Sequence, residues 1–451
     1  MGAGGLAQGD RLIELLTMAI RRLILENYRS FRERQEIELA PITVILGKNN
    51  SGKSALVRLP LLLDSGLRTD SRVPLDLDRL GADAVNDFRE LYFDQLTRRP
   101  LTLGLDVDGH QPFRLEADLE YIDSTSAAIV ARLQLSSPSF TGELVSSRML
   151  IADNGTRDID GFSEDSGPRP FEPGEPLEYE VRVPGQLVDP HLEIVEFRGL
   201  LPDWAGEQDF DPGPIRYLGP YREPVARQHR MPHGIPVDMG NRGQGLPALL
   251  AHDRERTGGR LLDQINERLA SIVPGWRIDE VPAGPLRSTV LTRRGSKVRV
   301  NLADAGSGLA QVLPIIAQCA MDDLYEGVPR APLQIIEEPE LHLHPAAHAD
   351  LADLYLATAQ ATGTRFLIET HSETLLLRLR LRVAETGNEI SPDTVAIYVV
   401  EQNDGESIVR RVHLDDLGNL DDSWPHGYFS QDYHEVRALA AAQRERRHRA
   451  S

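Results

Sequence analysis

Cysteine is almost absent from this sequence of 451 residues, which contains one, Cys319. A single cysteine cannot form a disulfide within the chain, and a lone thiol in an apolar helical stretch is typical of core packing. The sequence also lacks an uninterrupted apolar run of the roughly 20 residues that a membrane-spanning helix needs. The longest such run, Leu59–Leu63, contains Pro60. No secretory signal is recognisable at the N-terminus, so we expect a cytoplasmic protein.

Positive charge is in deficit, with 49 Lys and Arg residues against 69 Asp and Glu residues and a formal net charge of -20. Binding to nucleic acid without sequence preference depends on many cations that neutralise phosphates. The balance therefore excludes a protein coated in cationic surface, and any DNA site must be a local patch. Sustained heptads are missing as well, which excludes a long coiled coil.

The strongest motif present is a phosphate-binding loop of the pattern G-x-x-x-x-G-K-[ST]. It follows the apolar run Ile42–Leu46 and precedes a helix start at Ala55, which is the strand, turn and helix context that the motif requires. Glycine at both ends lets the backbone curl so that its N–H groups face phosphate oxygens. The predicted nucleotide-binding residues are Gly47, Lys48, Asn49, Asn50, Ser51, Gly52, Lys53 and Ser54.

Three side chains of the loop have predicted roles of their own. Lys53 can reach the β- and γ-phosphates of ATP, and we expect it to take part in catalysis. The hydroxyl of Ser54 is a hard oxygen ligand suited to Mg²⁺. Asn50 stands where glycine is common, and asparagine tolerates left-handed backbone better than most residues.

Two later strands are predicted to end in acidic or polar groups. Pro332–Ile336 runs into Glu337 and Glu338, and Arg365–Ile368 runs into a segment that contains His371. Adjacent carboxylates after a buried strand are costly unless they meet a cation or a reacting group. We therefore predict that Glu337 approaches Mg²⁺ and that Glu338 deprotonates the attacking water. His371 is predicted to contact the γ-phosphate or that water. The alternatives are solvated loop carboxylates and a structural histidine.

Three histidines, His342, His344 and His348, raise the question of a zinc site. No cysteine lies nearby, and hard oxygen ligands of a nucleotide site explain the surroundings better than a zinc cage. We therefore predict no zinc here. Further upstream, a glycine-serine turn before a helix is a second shape suited to anions, formed by Gly306, Ser307 and Gly308.

Taken together, these motifs resemble the ABC-class head ATPases related to RecF, the SMC and Rad50 heads, and the OLD-type proteins of prokaryotic defence and DNA repair. The stretch Glu337–Pro345 is most similar to the OLD-like branch. The stretch Leu417–Phe429 resembles a short C-terminal extension of unassigned role on a subset of these ATPases. The segments that carry the resemblance are Gly47–Ser54, Asp304–Gln311, Ile335–Pro345 and Thr370–Ser372.

The resemblance implies an α/β fold of the ABC-type ATPase head. Such a head has a mixed or parallel nucleotide-binding sheet, an antiparallel β subdomain and a helical lobe that bears the signature turn. We expect a leader over residues 1–18, the ATPase domain over 19–385 with insertions at about 60–300, and an extension over 386–451 with short strands and an Arg-rich helix. Alternating runs predict an antiparallel sheet over Leu101–Leu150, and Pro, Gly and acidic residues predict a surface excursion over Gly161–Gly185.

The resemblance also implies a composite site in a homodimer or higher homo-oligomer. ATP and Mg²⁺ on the phosphate loop of one protomer would be capped by the signature turn of another, here Gly306, Ser307 and Gly308. His344 falls where these families carry a residue that crosses the dimer interface. ATP would hold two heads together, and hydrolysis would let them part.

The leading hypothesis is a Mg²⁺-dependent ATPase that acts in DNA maintenance or anti-phage defence and controls a separate effector or nuclease chain. About 80 residues follow His371, too few for the Toprim nuclease domain of the OLD proteins. The alternative is a scaffold that binds ATP, turns it over slowly and sequesters a partner protein until triggered. DNA contact is left open between a basic patch and a solvated helix end at Arg437, Arg444, Arg446, Arg447 and Arg449.

Overall fold

The structure is a computed structural model that describes part of the chain. It covers residues 19–68, 74–77, 85, 87–109, 112–122, 127–138, 140–146, 177–182, 192–195, 197–198, 200–202, 212–231, 234, 236, 238–293, 295–324, 333–387, 390–425, 428–429, 437–439 and 443. The predicted leader at residues 1–18 and most of the predicted Arg-rich helix lie outside these residues, as do Arg444, Arg446, Arg447 and Arg449.

The described chain contains nineteen strands and six α-helices, and strands and helices alternate from α4 to β18. The strands are β1 (Ala19–Glu26), β2 (Gln35–Glu38), β3 (Ile42–Gly47), β4 (Leu101–Asp108), β5 (Phe113–Ile122), β6 (Ala127–Ser137), β7 (Phe140–Ser146), β8 (Leu177–Arg182), β9 (Leu192–Val195), β10 (Phe197–Arg198), β11 (Leu201–Pro202), β12 (Ile215–Leu218), β13 (Trp276–Ala283), β14 (Leu286–Arg293), β15 (Arg299–Asn301), β16 (Leu333–Glu337), β17 (Arg365–Glu369), β18 (Val395–Asn403) and β19 (Glu406–Val412). The α-helices are α1 (Lys53–Leu67), α2 (Leu246–His252), α3 (Arg260–Ile272), α4 (Ser307–Leu324), α5 (Pro345–Thr362) and α6 (Glu373–Ala384).

A six-stranded sheet in the order β12–β16–β17–β3–β18–β19 carries the predicted motifs. Its strands pair in parallel from β12 to β18, and β19 returns antiparallel to β18. All six residues of β3 are buried, which fits a continuous apolar strand covered on both faces. In a parallel sheet the carboxyl ends of neighbouring strands meet at one edge, so β3, β16 and β17 deliver their terminal residues to the same place.

An antiparallel sheet of eight strands lies on one face of this parallel sheet. Its order is β2–β1–β4–β5–β6–β7–β8–β9, and a separate three-stranded sheet joins β13, β14 and β15. The first part of the larger sheet confirms the strands predicted between Leu101 and Leu150. The excursion predicted over Gly161–Gly185 is wrong where Leu177–Arg182 forms β8, because this segment pairs with β7 on one side and with β9 on the other. Residues 161–176 lie outside the described residues.

Two apolar cores flank the parallel sheet, and alternate residues of each strand belong to one or the other. Ile45 of β3 joins the core made with α1 and the antiparallel sheet. Val44 and Leu46 join the core made with the helices α2 to α6. This three-layer arrangement confirms the predicted α/β class, with an antiparallel β subdomain and a helical lobe. Among the described residues, the helices are too short or too polar to span a bilayer.

Candidate nucleotide-binding site

The edge of the sheet brings the predicted loop and the predicted acidic groups together. Glu337, the last residue of β16, pairs in register with Glu369, the last residue of β17. Glu369 pairs in turn with Ile45, two residues before the phosphate loop begins at Gly47. Three segments that are far apart in the sequence therefore end side by side.

The loop has the backbone conformation that its composition predicts. Asn50 has φ of 65° and Gly52 has φ of 97°, both in the left-handed region, and α1 begins at the next residue. A side chain at Gly47 has no room, because a Cβ atom there would lie 2.6 Å from the carbonyl oxygen of Val400. The first amides of α1 have no partner within the helix, so its N-terminus is suited to an anion.

Lys53 and Ser54, the first two residues of α1, both face the end of β17. The Lys53 ammonium donates to the carbonyl of Lys48 across the loop at 2.9 Å and lies 3.7 Å from Oε1 of Glu369. The Ser54 hydroxyl donates to the same Oε1 at 3.1 Å. Burial lowers the pKa of Lys53, while the charges of Glu369 and Glu338 oppose that change.

Glu369 was not among the predicted site residues. Its side chain is 3% exposed, and its Oε2 atom is buried without a hydrogen-bond partner in the described part of the chain. Burial, together with the nearby charge of Glu337, raises the pKa of Glu369 to about 7. The sequence did hold a signal, since Glu369 follows a buried apolar run just as Glu337 does.

The Glu337 carboxylate is held by a cation and a phenol rather than by the loop. Arg58 of α1 donates to both of its oxygens, at 2.6 and 2.7 Å, and the Tyr217 hydroxyl donates to Oε1 at 2.9 Å. Glu337 is 1% exposed, so this pairing compensates a charge that water does not reach. The predicted contact of Glu337 with Mg²⁺ stays a prediction.

Glu338 takes a backbone conformation that is rare for residues other than glycine, with φ of 44°. Such a conformation persists only where the surroundings hold it in place. Its amide donates to the carbonyl of Glu369 at 2.8 Å. The buried Arg222 guanidinium donates to the carbonyls of Glu338 and Glu337, at 3.0 and 2.7 Å. Four backbone groups at the strand ends thus fix the direction of the Glu338 side chain.

Arg222 also connects these acids to the helix that begins at the signature turn. The Gln311 side chain on α4 accepts from the Arg222 amide at 3.4 Å and donates to its carbonyl at 3.2 Å. Burial lowers the pKa of Arg222. The start of α4 and the ends of β16 are therefore joined through one buried residue.

His371 is positioned by Glu340, which precedes helix α5 and strand β17 in the sequence. The Glu340 carboxylate accepts from the His371 amide at 2.6 Å and from the Thr370 hydroxyl at 2.7 Å. Loss of water around the ring lowers the pKa of His371, and Lys53 acts in the same direction. His371 is exposed, so its ring nitrogens are open to a ligand.

The side chains of Glu338, Glu369 and His371 offer ligand atoms that all lie within 4.8 Å of one another. Carboxylate oxygens and a nearby serine hydroxyl suit a hard divalent cation such as Mg²⁺. The buried, unpaired Oε2 of Glu369 gives a structural reason for a cation at this place. The donor set therefore fits the ion that a nucleotide would carry.

The signature turn and the three histidines lie on the next segments. A Cβ atom at Gly308 would lie 2.7 Å from the carbonyl oxygen of His342, so the turn packs closely on the loop after β16. His344 caps α5 by accepting from an amide at 3.2 Å. His348 pairs with the Ser372 hydroxyl at 2.8 Å. Gly306 and Ser307 precede or begin α4 in the same turn.

Profiles of protein families match three parts of the chain. The profile described as "AAA domain, putative AbiEii toxin, Type IV TA system" covers residues 151–378, which is more than half of the sequence. The chain belongs to this AAA-domain family. A second profile, described as "AAA ATPase domain", matches residues 18–92 and so includes the phosphate loop. The third, "Protein of unknown function (DUF3696)", matches residues 390–439. The predicted ATPase family is confirmed by these matches.

Similar proteins of known structure include SMC heads. No curated protein matches the chain. An SMC head bound to the C-terminal winged-helix domain of ScpA has 14% identity and a TM-score of 0.46, over 88% of this chain and 98% of that one. The SMC head domain from Thermotoga maritima has 11% identity and a TM-score of 0.41, over 88% and 100%. An SMC head with an extended coiled coil, bound to the C-terminal domain of ScpA and derived from Pyrococcus furiosus, has 12% identity and a TM-score of 0.47, over 88% and 97%.

Proposed function

We propose that this AAA-family protein binds ATP with Mg²⁺ and hydrolyses it. The observation that carries the proposal is the convergence of Lys53, Ser54, Glu338, Glu369 and His371 on one edge of the sheet, beside the phosphate loop. Phosphoryl transfer to water depends mainly on positioning and on compensation of negative charge, and this set contains groups for both tasks.

The cation site in this proposal is shared between the loop and the neighbouring strands. Mg²⁺ supplies charge compensation on the β- and γ-phosphates when it is bound. The Ser54 hydroxyl and Oε1 of Glu369 lie 3.1 Å apart, so both are assigned to it as oxygen ligands. Glu337, which pairs with Glu369 on the neighbouring strand, would act through a water. Lys53, whose ammonium lies 3.7 Å from the same Glu369 oxygen, binds the phosphates.

Glu338 and His371 act on the reacting water in this proposal. Glu338 accepts a proton from that water, and its fixed backbone limits the positions its carboxylate can take. His371 contacts the γ-phosphate, since it is exposed beside Glu338 and Glu369, and Glu340 sets its place through the backbone amide. Both residues stand at ends of strands that the loop adjoins, which is the support for their roles.

ATP-dependent association of two copies is the second part of the proposal. The turn Gly306–Gly308 would cap the nucleotide of a partner, and exposed His344 would lie at that contact. In this scheme the cycle controls a separate effector or nuclease in DNA maintenance or anti-phage defence. The family description, which names a toxin of a toxin–antitoxin system, is in keeping with a defence role.

A slow-turnover scaffold that sequesters a partner is the second candidate function. The pairing of Glu337 with Arg58 and Tyr217 favours it, because a carboxylate held in this way is less free to assist hydrolysis. Under this alternative, ATP binding alone would hold the assembly.

The Glu338→Gln variant tests the proposal and separates the two candidates. We expect it to bind ATP normally, to lose hydrolysis by at least about a hundredfold, and to accumulate as ATP-bound dimers in sedimentation experiments. Biological activity should be lost if the cycle matters and retained if the scaffold is the function. Absence of Mg²⁺-dependent ATP binding by the wild-type protein would refute the proposal. Lys53→Ala is the control that removes binding itself.

A further inference from the structure

We propose that the C-terminal segment formed by residues 395–425, Tyr428 and Phe429 is a clamp that fixes the conformation of the phosphate loop in cis, with Ser407 and Tyr428 as its positioning residues. This proposal rests on the proposed nucleotide binding only for its effect on ligand affinity. The segment belongs to the region matched by the profile of unknown function, and it contacts the loop at two points four residues apart.

The first contact is at the residue that opens the loop. The amide of Gly47 donates to the hydroxyl of Tyr428 at 2.6 Å, across 381 residues of sequence. Gly47 still belongs to β3, so this bond leaves the amides at the start of α1 available to phosphate. A buried strand end with a free N–H would be costly, and the tyrosine removes that cost.

The second contact is near the far end of the loop. The hydroxyl of Ser407, which is 2% exposed, donates to the carbonyl of Ser51 at 2.8 Å. The Ser407 amide donates to the carbonyl of Ser30 at 2.7 Å, and Ser30 lies against Gly52. The carbonyl of Ser51 precedes the left-handed turn into α1, so this bond sets the orientation of the peptide there.

The Tyr428 hydroxyl has a defined position because its ring is packed. Trp424, Tyr428 and Phe429 form an aromatic cluster with ring centroids 4.8 to 5.9 Å apart, and the cluster packs on the helical core. Upstream, the chain is tied to α6 where Arg380 donates to the carbonyl of Gly418 at 2.8 Å. A Cβ atom at Gly418 would lie 2.5 Å from the Arg380 carbonyl, so the approach is close.

Through these contacts the C-terminal segment holds both ends of the phosphate loop in place. The β18–β19 hairpin holds one end of the loop through Ser407, and the aromatic cluster holds the other through Tyr428. The loop that must present its amides to phosphate is thereby ordered before the ligand arrives, which lowers the entropic cost of binding.

Tyr428→Phe and Ser407→Ala test the clamp, with Tyr398→Phe as the matched control. Tyr398 belongs to the same segment, and its hydroxyl also binds backbone, donating to the Glu38 carbonyl at 2.9 Å away from the loop. We expect each test variant to weaken binding of a fluorescent ATP analogue by about fivefold, the loss of one hydrogen bond, and the double variant by about twentyfold. In both test variants the KM for ATP should rise, with kcat nearly unchanged. In Tyr398→Phe, KM and kcat should both equal the wild-type values.

Amide hydrogen exchange of the peptide covering residues 42–56, measured without nucleotide, gives a readout that does not depend on the proposed function. Exchange should be faster in Tyr428→Phe and Ser407→Ala and unchanged in Tyr398→Phe. Wild-type exchange rates in both test variants would overturn the clamp, whatever the protein binds. If the wild-type protein binds no nucleotide, the proposed function fails, and the exchange result alone then decides whether the clamp exists.

Discussion

Arg58 binds both carboxylate oxygens of Glu337, with Nε 2.6 Å from Oε1 and Nη2 2.7 Å from Oε2. The negative charge of Glu337 is therefore compensated by Arg58. The carboxylate that faces the Ser54 hydroxyl is that of Glu369. Two neighbouring strands thus end in acids with different partners. One belongs to an ion pair with α1, and the other has a buried oxygen without a partner in the described part of the chain.

The first prediction concerns which acid binds the cation. We expect Glu369→Gln to weaken Mn²⁺ binding in the presence of a non-hydrolysable ATP analogue by at least about tenfold, because a direct charged oxygen donor is lost. Glu337→Gln should have a smaller effect. The measurement is an electron paramagnetic resonance titration with Mn²⁺ in place of Mg²⁺. A larger effect for Glu337→Gln would contradict the assignment of Glu369.

The second prediction concerns the ion pair itself. Arg58→Met leaves Glu337 buried without a cation, so we expect the free energy of unfolding to fall by about 3 kcal/mol. The double variant Arg58→Met with Glu337→Gln should recover most of that loss, as measured by urea denaturation. The matched control is Arg34→Met, which breaks a two-bond pair with Glu116, with contacts of 2.7 and 2.9 Å, and one bond to Glu36. The Glu116 side chain is 16% exposed, against 1% for Glu337. That change should cost about 1 kcal/mol or less. Equal losses in the two single variants would refute the prediction.

The part of the site that is contiguous in the sequence could be predicted from it. The contacts between distant residues could be found only from the order of the strands in the sheet. The phosphate loop is a run of neighbouring residues, and its left-handed positions at Asn50 and Gly52 follow from local backbone preferences. Arg58 and Glu337 are 279 residues apart, and no local pattern indicates that they meet. Their pairing depends on α1 packing across β16. Tyr428 and Gly47 are 381 residues apart, and no local pattern indicates their contact either. It depends on the segment around Gly418, which packs against α6 through Arg380.

Amino-acid composition gave a wrong prediction where pairing between distant strands determines the structure. Leu177–Arg182 lies in a stretch rich in Pro, Gly and acids, but it pairs with β7 and β9 within the antiparallel sheet. Glu369 has the same preceding apolar run as Glu337. Glu369 lies beside the phosphate loop because β17 is placed between β16 and β3. The order of strands in a sheet cannot be read from any single segment.

The third prediction concerns the pH dependence of stability without nucleotide or divalent cation. Glu369 has its pKa raised from 4.5 to about 7, so between these values the folded protein binds more protons than the unfolded chain. Its contribution to stability is therefore present at low pH and is lost as pH rises through that window, by on the order of 3 kcal/mol. The Glu369→Gln variant should lack this loss, so its stability relative to wild type should increase from pH 5 to pH 7.5 in urea denaturation.

A matched control for this pH experiment is Glu373→Gln, an exposed residue in the first turn of α6. Its difference from wild type should be small and the same at both pH values. A difference between Glu369→Gln and wild type that does not change with pH would contradict a proton held on Glu369 in the folded protein.

The fourth prediction compares two glycines of the signature turn. A Cβ atom at Gly308 would lie 2.7 Å from the His342 carbonyl oxygen and 3.3 Å from Cδ2 of Leu343, whereas one at Gly306 would meet no described atom within 4 Å. Gly308→Ala must therefore push the start of α4 away from the loop that follows Glu338. We expect it to cost about 1–3 kcal/mol of stability, while Gly306→Ala costs much less.

The same pair of variants distinguishes packing from a role in association. Both changes are made in a Glu338→Gln background, where ATP-bound dimers should accumulate. Gly308→Ala should reduce the dimer fraction measured by sedimentation velocity, because it displaces the start of α4. If Gly306 itself lies against a partner's nucleotide, Gly306→Ala should reduce the dimer fraction without lowering the melting temperature, because its free space within one protomer would be filled by the partner. Loss of stability without loss of dimer in Gly308→Ala would instead confine that residue to packing against His342.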